Sequence, residues 1–417
     1  MSWYDLTTLP NGLRVVTERM PGIRSAAIGC WVDTGTRDEL GNEAGASHFL
    51  EHLLFKGSED VSAREISETF DAIGARSNAF TTKEQTCFWT RLLDEELGTG
   101  LRLLSEMLQR PAFREHEIDS ERQVVIEEIL MSEDDPDDTV FEAFSETLFA
   151  GHPLERPILG TRESVNGMSP NDISGYWKRR YTAGSTVIAI VSSLPHQQVI
   201  DEVEEHFGDW GGDGLTHELH PLQLVTGARA VHRDTEQAHV VMGGELFPRG
   251  DDRRWAFEIA NHVLGGGMSS RLFQTIREER GLVYSVYSFG MPFADLGAWG
   301  IYAGTAPEHL PEVMELIEGE LTSILGGGIT QGELDRAKGS VRGAIALSTE
   351  DANSRMSRLG RQVVTNGELL STGERIARIE AVTRDDVANV LQEVIPGPRV
   401  LTGLGPFAER DLEGYVA

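Results

Sequence analysis

Apolar residues recur along the chain with two different periods, which predict helices and strands. In the segment after position 62, Ile66, Phe70 and Ile73 recur at helical spacing. Ser62 and Glu65 form a capping box where that helix starts. Runs rich in β-branched and aromatic residues, separated by turn residues, predict strands instead.

The predicted elements mix both types along the whole chain. The predicted strands are residues 14–19, 26–32, 85–92, 186–192, 238–244 and 298–304. The predicted helices are residues 63–73, 97–108, 115–133, 172–181 and 310–325. Strands and helices in this order favour antiparallel α+β layers over a doubly wound parallel sheet.

An internal repeat relates the two halves of the chain. Residues 48–50 (His-Phe-Leu) align with residues 262–264 (His-Val-Leu), at an offset of 214 positions. Late in each half, residues 169–173 align with residues 383–387 at the same offset, and each of these segments starts a helix with a hydroxyl and a carboxylate three residues apart. An offset that is constant from early to late in the halves indicates a duplication.

Length and turn residues predict two domains. A chain of 417 residues is too long for one ordinary core. A Gly-Gly-Asp-Gly turn at 211–214 opens a stretch without clear periodicity, which reads as a linker. We therefore expect one domain over residues 1–210, a linker over 211–227 and a second domain over 228–417.

The net charge of the chain disfavours some classes of binding partner. There are 67 acidic against 37 basic residues, which gives a net charge of −30. Such a charge argues against nucleic acid and anionic membranes as partners. It could attract basic peptides, but solubility alone is the plainer explanation.

Cysteine use and the chain start favour the cytoplasm. Cys30 and Cys87 are the two cysteines, each flanked by apolar or aromatic residues, so buried free thiols are expected rather than a disulfide. The first residues resemble neither a secretory signal nor a transit peptide. No apolar run approaches the length of a membrane span.

A short His-x-x-Glu-His motif carries the strongest chemical signal. In a helix, His48, Glu51 and His52 lie on one face, three and four residues apart. This is the inverzincin order, in which both imidazoles bind zinc and the glutamate acts as general base. The second copy of the repeat has Gly265 and Gly266 in place of Glu51 and His52, so it has lost the motif. The alternative is two ordinary histidines on an amphipathic helix.

A third ligand is sought on the predicted helix 115–133. This helix contains Glu121, Glu127 and Glu128. Glu121 and Glu128 share a face but lie about 10 Å apart along the axis. One of them could bind the metal directly, and the other could then serve only in an outer shell. Periodicity does not choose between them, and a solvated acidic face is the plainer alternative.

Taken together, these segments resemble a known family. Residues 48–52 (His-Phe-Leu-Glu-His), followed by residues 121–129, are similar to the pitrilysin/insulinase family of zinc metallopeptidases, and most of all to the branch of the mitochondrial processing peptidase β-subunit and its bacterial relatives. Residues 35–39 (Gly-Thr-Arg-Asp-Glu) and 78–81 (Asn-Ala-Phe-Thr) match as well. The resemblance covers nearly the whole chain.

The resemblance implies a fold and a metal site. Two homologous α+β domains would face each other as a clam shell around a cavity. One Zn²⁺ per chain would be bound by His48, His52 and Glu128, while Glu121 would support the site without binding the metal. The implied activity is that of a zinc-dependent endopeptidase with Glu51 as general base.

The second half carries residues of its own that match the family. The glycine-rich run at 265–271 lacks a following Gly-Lys-Ser/Thr, so a tight turn is expected there rather than a nucleotide site. The resemblance implies that Arg277 and Tyr284 reach the substrate, with the guanidinium on a peptide carbonyl and the phenol on the developing oxyanion. Without the resemblance, Tyr284 would be an ordinary strand aromatic.

Substrate binding is expected along an extended edge. The resemblance implies that a peptide adds as a strand at Asn78, Ala79 and Phe80. The acidic run at 133–138 would form a cavity wall that prefers basic peptides, or it would be a solvated loop in which Pro136 ends the preceding helix.

Two other functions remain open. One is a non-catalytic scaffold, like the related core subunits of the respiratory cytochrome bc complex. The other is a regulatory subunit that works only with a partner. Because one chain carries both the zinc motif and the Arg/Tyr pair, the sequence favours a self-sufficient peptidase, expected as a homodimer, with a heterodimer with a paralogous subunit as the alternative.

Overall fold

The computed structural model describes residues 3–223 and 225–416. Its contacts divide the chain into two units. The first unit comprises Met1–Leu130, Arg156–Glu218 and Leu347–Ser371, and the second comprises Met131–Glu155, Leu219–Ala346 and Thr372–Ala417. Each unit contains one β-sheet with packed helices, so the predicted α+β class is confirmed.

The strands and helices alternate along both units. The strands are Asp5–Thr8 (β1), Arg14–Arg19 (β2), Ser25–Val32 (β3), Arg76–Thr81 (β4), Thr86–Leu93 (β5), Thr186–Ser192 (β6), Gly227–His232 (β7), Ala238–Leu246 (β8), Val283–Pro292 (β9), Gly297–Thr305 (β10) and Arg399–Gly405 (β11). The helices are Ala46–Leu54 (α1), Ala63–Ala72 (α2), Leu97–Gln109 (α3), Glu115–Asp134 (α4), Pro136–Leu148 (α5), Arg162–Gly167 (α6), Pro170–Arg180 (α7), His196–Phe207 (α8), Arg254–Leu264 (α9), Leu310–Gly327 (α10), Gln331–Ser348 (α11), Ala352–Val364 (α12), Thr372–Ala381 (α13) and Arg384–Val394 (α14).

The sheet of the first unit is buried on both faces. Its strand order is β1-β2-β6-β3-β5-β4, with β2 and β6 parallel and the other pairs antiparallel. Ile28 and Phe88 point into the core formed with α1, α3 and α7. On the opposite face, Trp31 and Val187 pack against Met356 and Leu359 of α12. Burial on both faces explains why β3 and β6 are almost continuously apolar.

The second unit repeats this plan. Its strand order is β7-β11-β8-β10-β9, again with one parallel pair, between β7 and β11. Met242 and Ile301 point into the core formed with α9, α10 and α14. Phe144 of α5 packs in a second cluster, with Val241 and Val400 of the sheet. The structural repeat agrees with the repeat in the sequence.

Two helices belong to the unit opposite to their half of the chain. The segment that contains α5 comes from the first half and belongs to the second unit, whereas the segment that contains α12 comes from the second half and belongs to the first unit. The continuous domains 1–210 and 228–417 stay a prediction. The contacts show in addition that each half of the chain contributes one such helix to the other unit.

Most predicted elements occur within two residues of their predicted bounds. The strands at 14–19 and 186–192 have the predicted limits. The capping boxes at Ser62, Ser169 and Thr383 are present, and the last two lie at the predicted offset in the repeat. Capping residues satisfy backbone N–H groups that the first helical turn leaves open, so their signal is local and readable.

The acidic run at 133–138 is not a loop, as one interpretation of the sequence held. Helix α4 ends at Asp134, and α5 begins at Pro136. The side chain of Asp135 accepts hydrogen bonds from the backbone N–H of Asp137 and Asp138. Proline is well tolerated at the first position of a helix because its missing N–H has no partner there anyway. Pro136 therefore starts a helix as well as following one.

The two cysteines and the apolar content of the helices were the subject of two expectations from composition. Cys30 and Cys87 are buried and free, as predicted. They lie on opposite faces of the first sheet, Cys30 beside α1 and α3 and Cys87 beside α12. Within residues 3–223 and 225–416, no helix is long and apolar enough to cross a membrane.

A largely buried ion cluster lies near the end of the segment Arg156–Glu218 of the first unit. His217 lies 3.1 Å from Asp33 and 3.0 Å from Asp38, and Arg180 lies 3.1 Å from Asp38. Burial alone would lower the pKa of His217, but the two aspartates raise it from 6.5 to about 9. The imidazolium is therefore favoured in the folded protein.

This cluster predicts a loss of stability at alkaline pH. Because the folded pKa lies above the unfolded one, the stabilisation is complete below pH 6.5 and is lost as the pH rises through about 9. The loss should be on the order of 3 kcal/mol in the free energy of unfolding. Denaturant unfolding at pH 6 and pH 9.5 measures it. A His217→Gln variant should be less stable at pH 6 and show a smaller alkaline loss, and equal alkaline losses in both proteins would contradict the assignment.

Candidate functional site

Helix α1 separates a buried face from a face that carries the motif. Phe49, Leu50 and Leu53 are buried in the core of the first unit. His48 and His52 lie on the other side, with side chains 12% and 18% exposed. The segment is helical, as the interpretation of the motif required, and the apolar face anchors it so that the imidazoles remain accessible to a ligand.

Glu128 of α4 meets these two imidazoles. The Nε2 atoms of His48 and His52 are 3.2 Å apart, and Oε2 of Glu128 lies 3.5 Å and 3.3 Å from them, respectively. In a tetrahedral zinc site with ligands about 2.1 Å from the metal, neighbouring ligand atoms are about 3.4 Å apart. The three side chains therefore fit one zinc ion and leave one tetrahedral position for water or substrate, as catalytic sites do.

Glu121 contacts the same site from behind His52. Its Oε1 accepts a hydrogen bond from Nδ1 of His52 at 2.9 Å, and its Oε2 lies 2.5 Å from Nζ of Lys56. A carboxylate on the second ring nitrogen orients a metal-binding histidine and makes it a stronger ligand. The two glutamates thus occupy the two positions that the sequence left open, with Glu128 at the metal-facing atoms and Glu121 in the outer shell.

The two histidines differ in how readily they are protonated. Burial, together with the neighbouring His52, lowers the pKa of His48 to about 4, so its imidazole is neutral and able to bind a metal at neutral pH. Burial also acts to lower the pKa of His52, but Glu121, Glu128 and Glu51 raise it. Burial acts to raise the pKa of Glu121, yet the hydrogen bonds from His52 and Lys56 lower it. Glu121 is therefore held as a carboxylate.

Replacing Glu121 by glutamine should weaken zinc binding about 10- to 100-fold, because the amide no longer supports His52 as a carboxylate does. Competition with a chromophoric chelator measures the dissociation constant. Glu127→Gln is the matched control, since Glu127 lies on the same helix but is exposed. Equal zinc affinity of both variants would show that Glu121 does not support zinc binding.

Glu51 is oriented by a residue of the neighbouring strand. Oγ1 of Thr81, at the end of β4, donates a hydrogen bond to Oε2 of Glu51 at 2.6 Å. Burial raises the pKa of Glu51, partly offset by this hydrogen bond and by His52. A raised pKa moves a carboxylate towards the range in which it exchanges protons near neutral pH.

The predicted substrate-binding residues lie on an edge strand. Among the described residues, β4 pairs with β5 on one side, and its other edge carries no strand. Asn78 is exposed, whereas Ala79 is buried and Phe80 packs edge-on against Trp31. The open edge therefore offers mainly backbone N–H and C=O groups, which is what an added peptide strand requires.

Arg277 and Tyr284 lie together in the second unit. Arg277 is in a π-helical turn, Phe273–Glu278, and its guanidinium lies 4.8 Å from the ring centre of Phe273 and 5.7 Å from that of Tyr284. Tyr284, on β9, is 78% exposed. π-Helical turns occur frequently at functional sites.

The glycine-rich run before Arg277 forms the expected turn after α9. A Cβ atom on Gly265 would lie 2.3 Å from the backbone nitrogen of Ser288, and one on Gly266 would lie 2.7 Å from Cα of His262. Close backbone approach therefore accounts for these glycines.

Sequence reasoning did not assign roles to Lys56 and Thr81. Lys56 follows His48 and His52 at intervals of four residues, which extends the motif face by one turn and could have signalled it. Thr81 was part of the matched segment 78–81, but its contact with Glu51 depends on how β4 lies beside α1 and leaves no local signal.

Family models match both halves of the chain. Residues 14–162 match the family model described as insulinase (peptidase family M16), and residues 167–341 match the model described as the peptidase M16 inactive domain. The second match includes the copy of the repeat in which Gly265 and Gly266 stand at the positions of Glu51 and His52.

Relatives and solved structures extend the likeness along the chain. A protein named uncharacterized zinc protease from Streptomyces coelicolor is 41% identical over 97% of this chain and 90% of its own length. One with the same name from Bacillus subtilis is 38% identical over 96% and 97%, respectively.

Two solved structures share the fold. The crystal structure of a protease from Helicobacter pylori has a TM-score of 0.91 at 23% identity, covering 97% of this chain and 99% of the other. A structure described as the peptidase M16 inactive domain from Pseudomonas fluorescens has a TM-score of 0.91 at 20% identity, covering 97% and 98%. From the site, the family models and the relatives together, the chain belongs to the insulinase family of peptidases, peptidase family M16.

Proposed function

We propose that the protein is a zinc-dependent endopeptidase that hydrolyses peptides or unfolded segments. The observation that carries this proposal is the triangle of His48, His52 and Glu128, whose metal-facing atoms are 3.2 to 3.5 Å apart. Its spacing fits one zinc ion with an open position, and two imidazoles with one carboxylate form a donor set of catalytic rather than structural zinc sites.

When bound, zinc would polarise the peptide carbonyl and lower the pKa of a water molecule towards about 7. The protein supplies the remaining functions. Glu51 would take a proton from the attacking water and pass it to the leaving amine, since its carboxylate adjoins the two histidines on α1. Thr81 holds that carboxylate in place through its hydrogen bond.

Substrate binding is assigned to the edge of β4 and to the Arg/Tyr pair. The backbone of Asn78, Ala79 and Phe80 would pair with an extended peptide. Arg277 and Tyr284 would donate hydrogen bonds to substrate carbonyl oxygens, and the exposure of Tyr284 leaves its hydroxyl accessible. These assignments rest on the family resemblance, and the open edge and the exposed pair support them.

A preference for basic peptides is part of the proposal. The net charge of −30 supports it. The acidic run contributes less than its sequence suggests, because Asp135 caps α5 and Asp137 accepts a hydrogen bond from Tyr302 at 2.5 Å. Equal cleavage rates for neutral and basic peptides of one length would exclude the preference.

The test is cleavage of a mixed peptide library, read by mass spectrometry, with wild type and Glu51→Gln at matched zinc content. We expect cleavage by wild type alone, and the cut sites would give the specificity. Absence of cleavage by either protein would favour the alternative, a non-catalytic scaffold or a regulatory subunit of the same fold.

We also propose a cytoplasmic homodimer. The two buried free thiols fit a reducing compartment. One chain carries both the zinc motif and the Arg/Tyr pair, so a second type of subunit is not needed for a complete site. Light scattering after size exclusion tests this assembly, and a strict monomer, or activity that requires a paralogous subunit, would contradict it.

A further inference from the structure

The metal-binding helix α1 starts without a capping side chain of its own. Its N-cap residue is Gly45, in the left-handed region with φ of 88°. A Cβ atom there would lie 2.8 Å from the carbonyl oxygen of Leu159 and 3.0 Å from Cα of Gly160. Both the backbone conformation and the lack of space exclude the Ser, Thr, Asp or Asn side chain that usually caps a helix.

A buried carboxylate from outside the helix takes over this function. Oε1 of Glu39 accepts a hydrogen bond from the backbone N–H of Ser47 at 2.8 Å, and Oε2 accepts one from the backbone N–H of Gly45 at 3.0 Å. Ser47 is the second residue of α1 and directly precedes His48. Glu39 therefore satisfies backbone groups that the first helical turn leaves open.

Removing the carboxylate of Glu39 from water costs free energy, which its contacts must offset. The residue is 3% exposed. Burial raises the pKa of Glu39, and the hydrogen bonds from the backbone N–H groups of Ser47 and Gly45 act against this rise by favouring the ionised form. Because both side-chain oxygens accept from N–H donors, the geometry is that of a carboxylate. A buried carboxyl group without hydrogen-bond partners would destabilise the fold, and the two backbone N–H groups supply those partners.

We propose that Glu39 is a positioning residue of the metal centre, which fixes the first turn of α1 and thereby places His48 for metal binding. The inference rests on the zinc site of the proposed function but not on its catalytic activity. His48 lies in the first turn, so its imidazole follows any fraying or rotation there, whereas His52 lies a full turn further into the helix.

The segment that contains Glu39 is itself held from several sides. Arg37 forms a buried ion pair with Glu84 at 2.5 Å, and Asp38 lies within the ion cluster of His217. The side chain of Arg156 donates a hydrogen bond to the carbonyl oxygen of Glu39. These contacts fix the carboxylate relative to the core independently of α1, which a positioning residue requires.

The side chain of Ser47 is fixed by a second route. Its hydroxyl lies 2.8 Å from the hydroxyl of Tyr176, which in turn lies 3.0 Å from the hydroxyl of Thr34. All of these groups are buried. The start of α1 is thus embedded in a polar network, within which Glu39 provides the direct contacts to the backbone of the helix.

Zinc binding by Glu39→Gln, compared with Glu43→Gln, tests the proposal. Glu43 lies in the same segment, is 4% exposed, and accepts hydrogen bonds with its side chain from Leu40 and Arg179. The backbone carbonyl oxygen of Glu43 accepts a hydrogen bond from the backbone N–H of Ala46 in α1. The variant keeps this hydrogen bond, because it changes only the side chain. Glu43→Gln therefore perturbs the same segment while leaving the cap of α1 in place.

We expect Glu39→Gln to bind zinc about tenfold or more weakly than wild type, a loss like that for an outer-shell partner. The amide group places an N–H donor against one of the two backbone N–H groups, so one of them loses its acceptor. Glu43→Gln should bind zinc like wild type. Competition with a chromophoric chelator gives both constants, and the visible spectrum of the cobalt(II)-substituted proteins reports on ligand geometry, which should change in Glu39→Gln alone.

Equal zinc affinity and an unchanged cobalt spectrum in Glu39→Gln would overturn the proposal. An equal loss in both variants would overturn it too, because the effect would then belong to the segment and not to the cap. If circular dichroism shows Glu39→Gln to be unfolded, Glu39→Asp decides, since it keeps the charge but is too short to reach both N–H groups. If wild type binds zinc but cleaves no peptide, the proposed peptidase function is contradicted, whereas the role of Glu39 in zinc binding is not affected.

Discussion

Replacing Glu51 by glutamine is expected to lower kcat/KM for peptide cleavage by about 10²- to 10⁴-fold while zinc remains bound. Glutamine has nearly the same shape as glutamate, so it can still accept the hydrogen bond from Thr81 and leaves the triangle of zinc ligands intact. It cannot take up a proton from water. The effect should therefore fall on the chemical step.

The measurement combines steady-state kinetics with metal analysis of the same samples. Glu68→Gln serves as a control, because its side chain lies on α2 and is 67% exposed. That variant should cleave at the wild-type rate. If Glu51→Gln loses its zinc together with its activity, Glu51 is a ligand and not the base. If it keeps full activity, another group performs the proton transfer.

Replacing Glu128 by glutamine is expected to remove zinc from the protein. Glu128 is the ligand that brings negative charge to the metal, and its Oε2 atom is within 3.5 Å of both imidazole nitrogens. A neutral amide is a weaker ligand for zinc, so two histidines would have to hold the ion with little help. The loss of affinity should exceed the about 10- to 100-fold that an outer-shell partner contributes.

Metal content after dialysis against a weak chelator measures this loss. Glu127→Gln is again the matched control, because the residue is adjacent in sequence but exposed. We expect that control to retain one zinc per chain. Retention of zinc by Glu128→Gln, or its loss from Glu127→Gln, would show that the triangle found in the structure is not the metal site.

The histidine ligands could be predicted from sequence because they lie on one helix. His48 and His52 are four residues apart, and helical geometry alone places them on one face. The choice between Glu121 and Glu128 could not be made from periodicity, because both share a face of α4. The family resemblance selected Glu128, and the structure gives the physical distinction, since Glu128 meets Nε2 of both rings and Glu121 meets Nδ1 of one.

The strands and helices with strong local patterns were predicted well. The buried strand β6 has a nearly continuous apolar run, so its limits were clear. Helix α5 was missed, because Pro136 suggested only the end of the preceding helix. The packing of α5 and α12 in the opposite units left no signal, since the apolar face of a helix does not indicate which sheet it covers.

The buried polar contacts around the site were the least predictable. Glu39 was noted as part of a matched segment, but its side chain reaches the backbone of α1 only because the intervening turn folds back at Gly45. Charged residues are usually exposed, so sequence alone gives no reason to place Glu39 in the core. The facing arrangement of the two domains around a cavity stays a prediction.

His48, His52 and Glu128 are proposed to form one catalytic zinc centre. Titration of the metal-free protein with zinc, while peptide cleavage is followed, tests it most directly. We expect activity to rise in proportion to zinc and to saturate at one ion per chain, and Glu51→Gln to bind the same amount of zinc without cleaving. Cleavage by the metal-free protein, or full zinc loading of wild type without cleavage of any library peptide, would contradict it.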